Sequence, residues 1–309
     1  MHCPLCNSSN IEIVEKLSVA DIDSVYFRYI GLHVADAFHQ IKEINYCHCS
    51  GCDLFFFDPL VVGDEDFYSN LQRNDWYYPD DKNEYDYAAS LISGSDSVLE
   101  IGSGKGAFAN KIAAKKYVGL EFSQTAKQMA ASNGVEIINQ SIEDHAKICP
   151  DKYDVVCSFQ VLEHVSNPRD FISAALNCVR PGGRLIFSVP SSDSFARYVT
   201  NHTLDMPPHH VTRWTDLALR NVAREMKIKV ESIWHEPLQE VHKHLYAITI
   251  FGRAANITLK RPQRLVDTTL MGRILGKISL RMGCKYSQVL TDDCFSPRGI
   301  SVTVVYIKP

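Results

Sequence analysis

The chain has 309 residues, 45% hydrophobic and 22% charged, with a formal net charge of -4. That length buries a large core and exceeds one average domain, so one large domain with additions is expected. The charge balance and a pI near 6.3 show no general basic footprint for nucleic acid, and no stretch reaches the unbroken apolar length of a membrane span.

The start, Met1-His2-Cys3-Pro4, is no basic-then-apolar leader. A cytoplasmic protein with its ten cysteines reduced is therefore expected. Cys3-x-x-Cys6 and Cys49-x-x-Cys52 are two thiolate knuckles separated by 42 residues. In a reducing compartment such pairs fit tetrahedral Zn²⁺ better than disulfides. Cys3, Cys6, Cys49 and Cys52 are the expected ligands of a closed structural site, with Cys47 and His48 as substitutes. The long intervening segment, Ile11 to Tyr46, is expected to form extra strands. The zinc module is bounded at 1–57.

Residues 58–94 read as a connector. Over 58–86 nine acids face only Arg73 and Lys82, with Trp76, Tyr77, Tyr78, Tyr85 and Tyr87 interleaved. It is either a solvated linker with docking aromatics or a lid.

From residue 95 the pattern changes. Val98 to Ile101 is a short apolar strand, and Gly102, Gly104 and Gly106 form a turn that can take positive φ and admit a ligand close to the backbone. A helix is expected over Ala107 to Ala114. Tyr117 to Glu121 is a second strand ending in an acid, which in a nucleotide-type fold accepts hydrogen bonds from ribose hydroxyls. A helix (Ser123 to Asn133) and strands at Val135 to Asn139, Tyr153 to Ser158 and Arg184 to Val189 follow. This alternation predicts a parallel sheet with helices on both faces. A dehydrogenase would want Gly-x-Gly-x-x-Gly, and here the third glycine comes one residue too early.

Glu100-x-Gly102-x-Gly104-x-Gly106, Glu121, Val161-Leu162-Glu163-His164-Val165 and Pro181-Gly182-Gly183-Arg184-Leu185 together resemble a class I S-adenosylmethionine-dependent methyltransferase of the ubiquinone-biosynthesis O-methyltransferase group. The resemblance spans roughly residues 95 to 235. It implies a Rossmann-like seven-stranded sheet over 95–309, interrupted by an insertion at 237–298 before the last strand. It also implies that Glu100, Gly102, Ser103 and Gly104 hold the amino-acid end of the cofactor, Glu121 and Phe122 its ribose side, and Ser141, Ile142 and Glu143 its adenine. Phe159 and Gln160 would surround the methyl group. In related enzymes the segment before the first strand closes over the methionine end, which suits the lid reading of 58–94. Some relatives carry Glu-x-x-Glu-His as a divalent-metal site. Here Gln160 replaces the first carboxylate, which weakens a hard-cation site, and a structural role for Glu163-His164 is the alternative. The knuckles and the following Phe55-Phe56-Phe57-Asp58-Pro59 resemble the zinc-binding module on some methyltransferases of sugar, polysaccharide and secondary-metabolite pathways.

Beyond the fifth strand lies Met206-Pro207-Pro208-His209-His210-Val211-Thr212-Arg213-Trp214. A loop leaving the carboxyl edge hangs over the site, and His209 or His210 can act there as general base; Thr212 is expected to cap the next helix. Strands follow at 228–236 and 300–308. Between them Leu270, Ile274, Ile278 and Met282 repeat every fourth residue beside Arg273, Lys277 and Arg281, a basic amphipathic helix. Residues 253–285 hold eight bases against Asp267, and either docking on the acidic connector, peripheral membrane contact, or a plain packed helix explains them. The expected function is methylation, most simply of oxygen, on a small molecule or carbohydrate such as a sugar, polysaccharide or lipid-linked intermediate. An RNA or protein methyltransferase and a noncatalytic cofactor-binding protein are the alternatives.

Overall fold

The computed structural model describes residues 1–73, 77, 81–132, 134–289 and 297–309. The amino-terminal segment builds β1 (Ile11–Ser18), α1 (Val19–Ile30), β2 (Glu43–Cys49) and β3 (Phe55–Asp58). The long gap between the knuckles forms the extra strands β1 and β2 and a helix besides. It contains α1 because Val19, Ile22, Val25 and Tyr26 all fall on the one face that is buried, and Gly31 closes it with φ 73°. Two connector helices follow, α2 (Glu65–Gln72) and α3 (Asn83–Ala89).

The main domain runs β4 (Ser97–Ile101), β5 (Lys116–Leu120), α4 (Gln124–Ser132), β6 (Ile137–Ile138), α5 (Ile142–Ile148), β7 (Tyr153–Phe159), α6 (Pro168–Cys178) and β8 (Val179–Pro190). It continues with β9 (Thr212–Arg213), α7 (Asp216–Met226), β10 (Lys229–Pro237), α8 (Lys243–Thr258), α9 (Leu270–Tyr286) and β11 (Arg298–Ile307). The seven-stranded sheet has the order β10-β11-β8-β7-β4-β5-β6. Its strands are parallel except β11, which pairs antiparallel with both β8 and β10. That is the Rossmann-like methyltransferase sheet. Both faces are covered, so the central strands are continuous apolar runs: Val98, Leu99, Val155, Val156, Leu185 and Ile186 are essentially inaccessible. The pairing with β7 jumps from Val179 to Arg184, so the Pro-Gly-Gly stretch loops out of register.

Two local expectations fail. Only a 3-10 turn, Phe108–Lys111, forms where a helix was expected over 107–114. Phe108 is pulled into an aromatic cluster with Tyr85 and Phe159, and Ile112 leaves in extended conformation. The cap of α7 is Thr215, whose hydroxyl accepts from the Ala218 N–H at 3.0 Å. Thr212 sits instead in β9, accepting from the indole N–H of Trp214.

β9 matters most for the architecture. It lies in the loop after β8, yet it pairs antiparallel with β3, Phe55 against Arg213 and Phe56 against Thr212. It is the fourth strand of the amino-terminal sheet β1-β2-β3-β9. The knuckles rest on the main domain too: Asn221 donates to the Cys52 carbonyl at 3.1 Å, and Arg169 to that of Leu5 at 2.8 Å. Cys3, Leu5, Cys49, Cys52 and Leu54 share one apolar cluster with Trp214, Leu219 and Val222.

Candidate functional site

The glycine turn follows from the backbone it needs. Gly102, Gly104 and Gly106 have φ of 71°, 51° and 78°, the left-handed region that side chains with a Cβ avoid. At Gly102 a Cβ would also lie 2.4 Å from Val161 Cγ2. The N–H groups of Gly102 and Ser103 both donate to the Leu120 carbonyl, which fastens the turn to the end of β5. There Glu121 carries the next link: its carboxylate accepts from the Gly104 N–H at 3.0 Å and from the Ser123 N–H at 2.8 Å. Phe122 beside it is 65% exposed, an uncovered apolar ring next to a fixed carboxylate. Ser103 Oγ is buried with no hydrogen-bond partner among the described residues. An acid, a ring face and an unused hydroxyl around a glycine cradle suit a nucleoside with a polar tail.

The other sequence-predicted residues take varied positions. Glu100 lies beneath the turn, buried, accepting a short hydrogen bond from the Tyr117 hydroxyl. Burial pushes its carboxyl up to about 8 against that hydrogen bond. Ser141 caps α5 through the Asp144 N–H at 3.1 Å, Ile142 is in the core, and Glu143 is exposed. Phe159 packs edge-on to Tyr85 with centroids 4.9 Å apart. Gln160 has φ 58°, and its amide donates to Glu84 at 3.1 Å and to Ser301 at 3.3 Å. The first position of the Glu-x-x-Glu-His pattern is thus both uncharged and turned toward other partners.

The loop after β8 brings His209 and His210 against His164. The His209 and His210 rings stack at 4.5 Å, and His164 meets them edge-on at 4.5 and 4.7 Å. One nitrogen of each lies within 4.8 Å of the others. Every Nδ1 faces an acceptor: the His209 carbonyl at 2.7 Å for His164, the Leu204 carbonyl at 2.9 Å for His209, and Asp205 Oδ1 at 3.3 Å for His210. Those acceptors put the proton on Nδ1 and leave each neutral ring with its lone pair on Nε2. Asp205 is held from behind by Arg213 at 2.7 Å. Burial alone would raise the Asp205 carboxyl, but Arg213 and the His210 hydrogen bond outweigh it and keep it at about 2. Burial drives the His164 ring down to about 3 and His209 well below its ordinary value, so both are neutral near pH 7.

Glu163 completes the cluster. Neither carboxylate oxygen has a hydrogen-bond partner among the described residues; Oε1 stands 3.8 Å from His210 Nε2 and 3.9 Å from His164 Nε2. Burial raises its carboxyl to about 7, with His210 opposing. The connector closes over the same rings: Tyr68 OH is 3.2 Å from His164 Nδ1, and Tyr77 OH is 3.3 Å from His209 Nε2. Trp76 and Tyr78, which the sequence also marks, lie outside the described residues. Sequence reading missed Asp205 and Arg213, since an Asp five residues before a His and a buried Arg carry no spacing signal of their own.

In the amino-terminal segment, Cys3, Cys6, Cys49 and Cys52 converge. Their sulfurs all lie within 4.8 Å of one another, with Cys3–Cys52 at 3.4 Å and Cys6–Cys49 at 3.6 Å. Four thiolates about 2.3 Å from one Zn²⁺ have nearly that spacing, so the set fits the ion. Cys47 packs on Met1, and His48 binds Asp53 at 2.8 Å.

The sheet order, the glycine turn and the acid ending β5 are those of the Rossmann-like methyltransferase fold. Residues 82–232, just under half of the chain, match the methyltransferase-domain family. It is 34% identical over 99 residues to the ubiquinone biosynthesis O-methyltransferase of Klebsiella pneumoniae strain 342, covering 29% of this chain and 41% of that protein. The corresponding protein of Vibrio atlanticus is 37% identical over 99 residues, covering 29% and 42%. The chain thus spans about two fifths of the length of the curated relatives it matches. The solved S-adenosylmethionine-dependent methyltransferase of Archaeoglobus fulgidus superposes with a TM-score of 0.50 at 15% identity, covering 79% of this chain and 100% of that one; at that identity the likeness concerns the fold alone.

Proposed function

We propose that this protein is a cytoplasmic methyltransferase that transfers a methyl group from S-adenosylmethionine to an oxygen of a small-molecule or carbohydrate acceptor (a sugar, polysaccharide or lipid-linked intermediate), with His210 as general base. The observation that carries the reading is the Arg213–Asp205–His210 line, which meets Glu163 of the segment whose Val161 packs on Gly102. A neutral imidazole whose Nδ1 proton is held by an ionised carboxylate keeps its Nε2 lone pair available for an acceptor hydroxyl.

The cofactor supplies a sulfonium whose methyl is already activated. The chain's own task is alignment and proton removal. Glu121 and the Gly102–Gly104 turn hold the cofactor, and Ser141 to Glu143 border its adenine. Glu100 acts from beneath the turn, and Phe159 and Gln160 wall the methyl end. Tyr68 and Tyr77 exclude water above the histidines. The bound cofactor would supply the methyl and keep the sulfur as a neutral thioether, and His210 Nε2 would take the acceptor's hydroxyl proton as the new oxygen–carbon bond forms. The imidazolium is stabilised by Asp205. His209 is the alternative base; its Nδ1 faces the Leu204 carbonyl where that of His210 faces the Asp205 carboxylate, which is why His210 is preferred.

The four thiolates hold a structural Zn²⁺, and 1–57, 58–94 and 95–309 act as module, lid and catalytic domain. The test is turnover with methyl-labelled cofactor against sugar nucleotides, lipid-linked saccharides, phenols, RNA and protein. Label in a small hydroxyl acceptor, with His210→Asn losing about a hundredfold or more in kcat while cofactor affinity holds, supports the proposal. Label in RNA or protein alone refutes the acceptor class. Cofactor binding without any turnover makes the chain a noncatalytic binding protein.

A further inference from the structure

We propose that the α8–α9 hairpin is a docking device for an anionic membrane surface. The two helices are antiparallel: Gly283 meets Ile248, where a Cβ would lie 2.8 Å from the backbone nitrogen, and Cys284 Sγ contacts His244 Nε2 at 3.1 Å. The residues the two helices bury are small, Ala247 and Thr249 on one, Ser279 and Gly283 on the other. Leu245, Ile248, Ile250, Phe251, Leu275 and Met282 are half-buried, while a second set of large apolar side chains faces out. Leu270 is 75% exposed, Ile278 51% and Ile274 44%, and Met271, Leu280, Ile257 and Leu259 are exposed with them. Because the helices run opposite ways, the exposed Ile257 and Leu259 at the end of α8 lie toward the exposed Leu270 and Met271 at the start of α9. A hairpin folded only for water would bury these and expose its small residues. Small inside and large outside is the arrangement that suits an apolar surrounding.

The charge pattern selects which apolar surface. α9 carries Arg273, Lys277, Arg281 and Lys285 and no acid. Within 253–285 Asp267 binds Arg261 at 2.8 Å, which leaves seven bases against no free acid. Arg273, Lys277 and Arg281 form no ion pair among the described residues. At 100° per residue they share the exposed half of α9 with Leu270, Ile274 and Ile278, so their long stems can lie along the bilayer boundary with the charged ends among phosphates. The acids that hold the hairpin's loop come from the amino-terminal sheet and its helix: Glu15 accepts the Leu265 N–H, and Asp21 the Thr268 hydroxyl. The outer basic face is thus left uncompensated, complementary to anionic headgroups. No helix among the described residues is long and apolar enough to cross a membrane, so the hairpin lies on the surface.

Its position gives docking a consequence. β10 and β8 both run antiparallel to β11, so the hairpin rises from the same sheet edge as the histidine loop. Phe195 of that loop packs edge-on to Tyr246, and Arg253 lies 3.8 Å over Tyr198. A docked hairpin holds the histidine pocket close to the bilayer, which points to an amphiphilic or lipid-linked acceptor; this step alone rests on the methyltransferase reading.

The experiment is co-sedimentation of the full chain with neutral phosphatidylcholine vesicles and with vesicles containing roughly a third phosphatidylglycerol. Binding to the anionic vesicles at low salt, lost at high salt, is expected. The triple variant Arg273→Ala, Lys277→Ala, Arg281→Ala and the pair Ile274→Ser, Ile278→Ser should each weaken it about tenfold or more, with cofactor binding and thermal melting unchanged. Ile274→Trp should blue-shift its fluorescence on anionic vesicles only. The proposal is overturned if anionic vesicles sediment no protein at low salt or if the triple variant binds like the parent. Capture of an acidic protein partner in the absence of vesicle binding also overturns it. None of these readouts needs turnover, so the result is separate from the fate of the methyltransferase reading.

Discussion

Glu121 is the residue on which the cofactor side turns. Its carboxylate already binds two backbone N–H groups, and charge-assisted bonds of that kind contribute roughly 1.5–3 kcal/mol each. Glu121→Ala should therefore weaken S-adenosylmethionine binding by at least about tenfold in calorimetry, while Glu121→Gln retains part of it. Equal affinity in the alanine variant would remove Glu121 from the site. Glu163 makes a different, pH-dependent prediction. Its folded carboxyl titrates near 7 against an ordinary value of 4.5, mainly because burial disfavours the charge. A raised folded value means that its contribution to stability is full below about 4.5 and is lost as pH rises through 7. Chemical denaturation across that window should show stability falling with pH in the parent protein. Glu163→Gln should flatten that trend; an unchanged slope would assign it to other groups.

Among the elements, β9 couples the two ends of the chain. The strand is two residues long and could not stand alone; β3 supplies its partner, and the knuckle around Cys49 and Cys52 precedes β3 directly. Losing metal should therefore travel to Arg213, and through Asp205 to His210. Cys49→Ser is expected to lower protease resistance of the first ~57 residues, because structural zinc supplies folding energy to its own module. It should also reduce kcat with a smaller effect on cofactor binding, since the glycine cradle lies on β4 and β5. Retained turnover alongside a proteolysed module would show that β9 carries no such coupling. The connector belongs to this scale too. Tyr68 and Tyr77 reach His164 and His209 from α2 and just beyond it, so Tyr68→Phe should leave the fold intact and alter the acceptor KM or kcat in a turnover assay.

For the molecule as a whole, metal analysis of purified protein should return close to one zinc per chain, with the Cys49→Ser variant near none. A full complement in that variant would place the metal elsewhere. Much of the architecture was legible in advance because it is written locally. Strand and helix periods, three glycines that need positive φ, an acid closing the second strand and two Cys-x-x-Cys pairs each act over a few residues. Those signals specify the parallel sheet, the cofactor edge and the four sulfurs. What they could not carry is pairing across distance. Thr212 looked like a helix cap until a strand more than 150 residues earlier claimed it. Residues 107–114 looked helical until Phe108 found Tyr85 and Phe159. The sequence by itself determined the methyltransferase sheet, the glycine cradle and the thiolate knuckles, since short-range backbone geometry and residue chemistry decide them. Only the tertiary structure decided that Arg213, Asp205, His210, His164 and Glu163 meet. Their meeting depends on a loop held between two sheets, and that contact is made by burial and strand pairing between residues far apart in the chain.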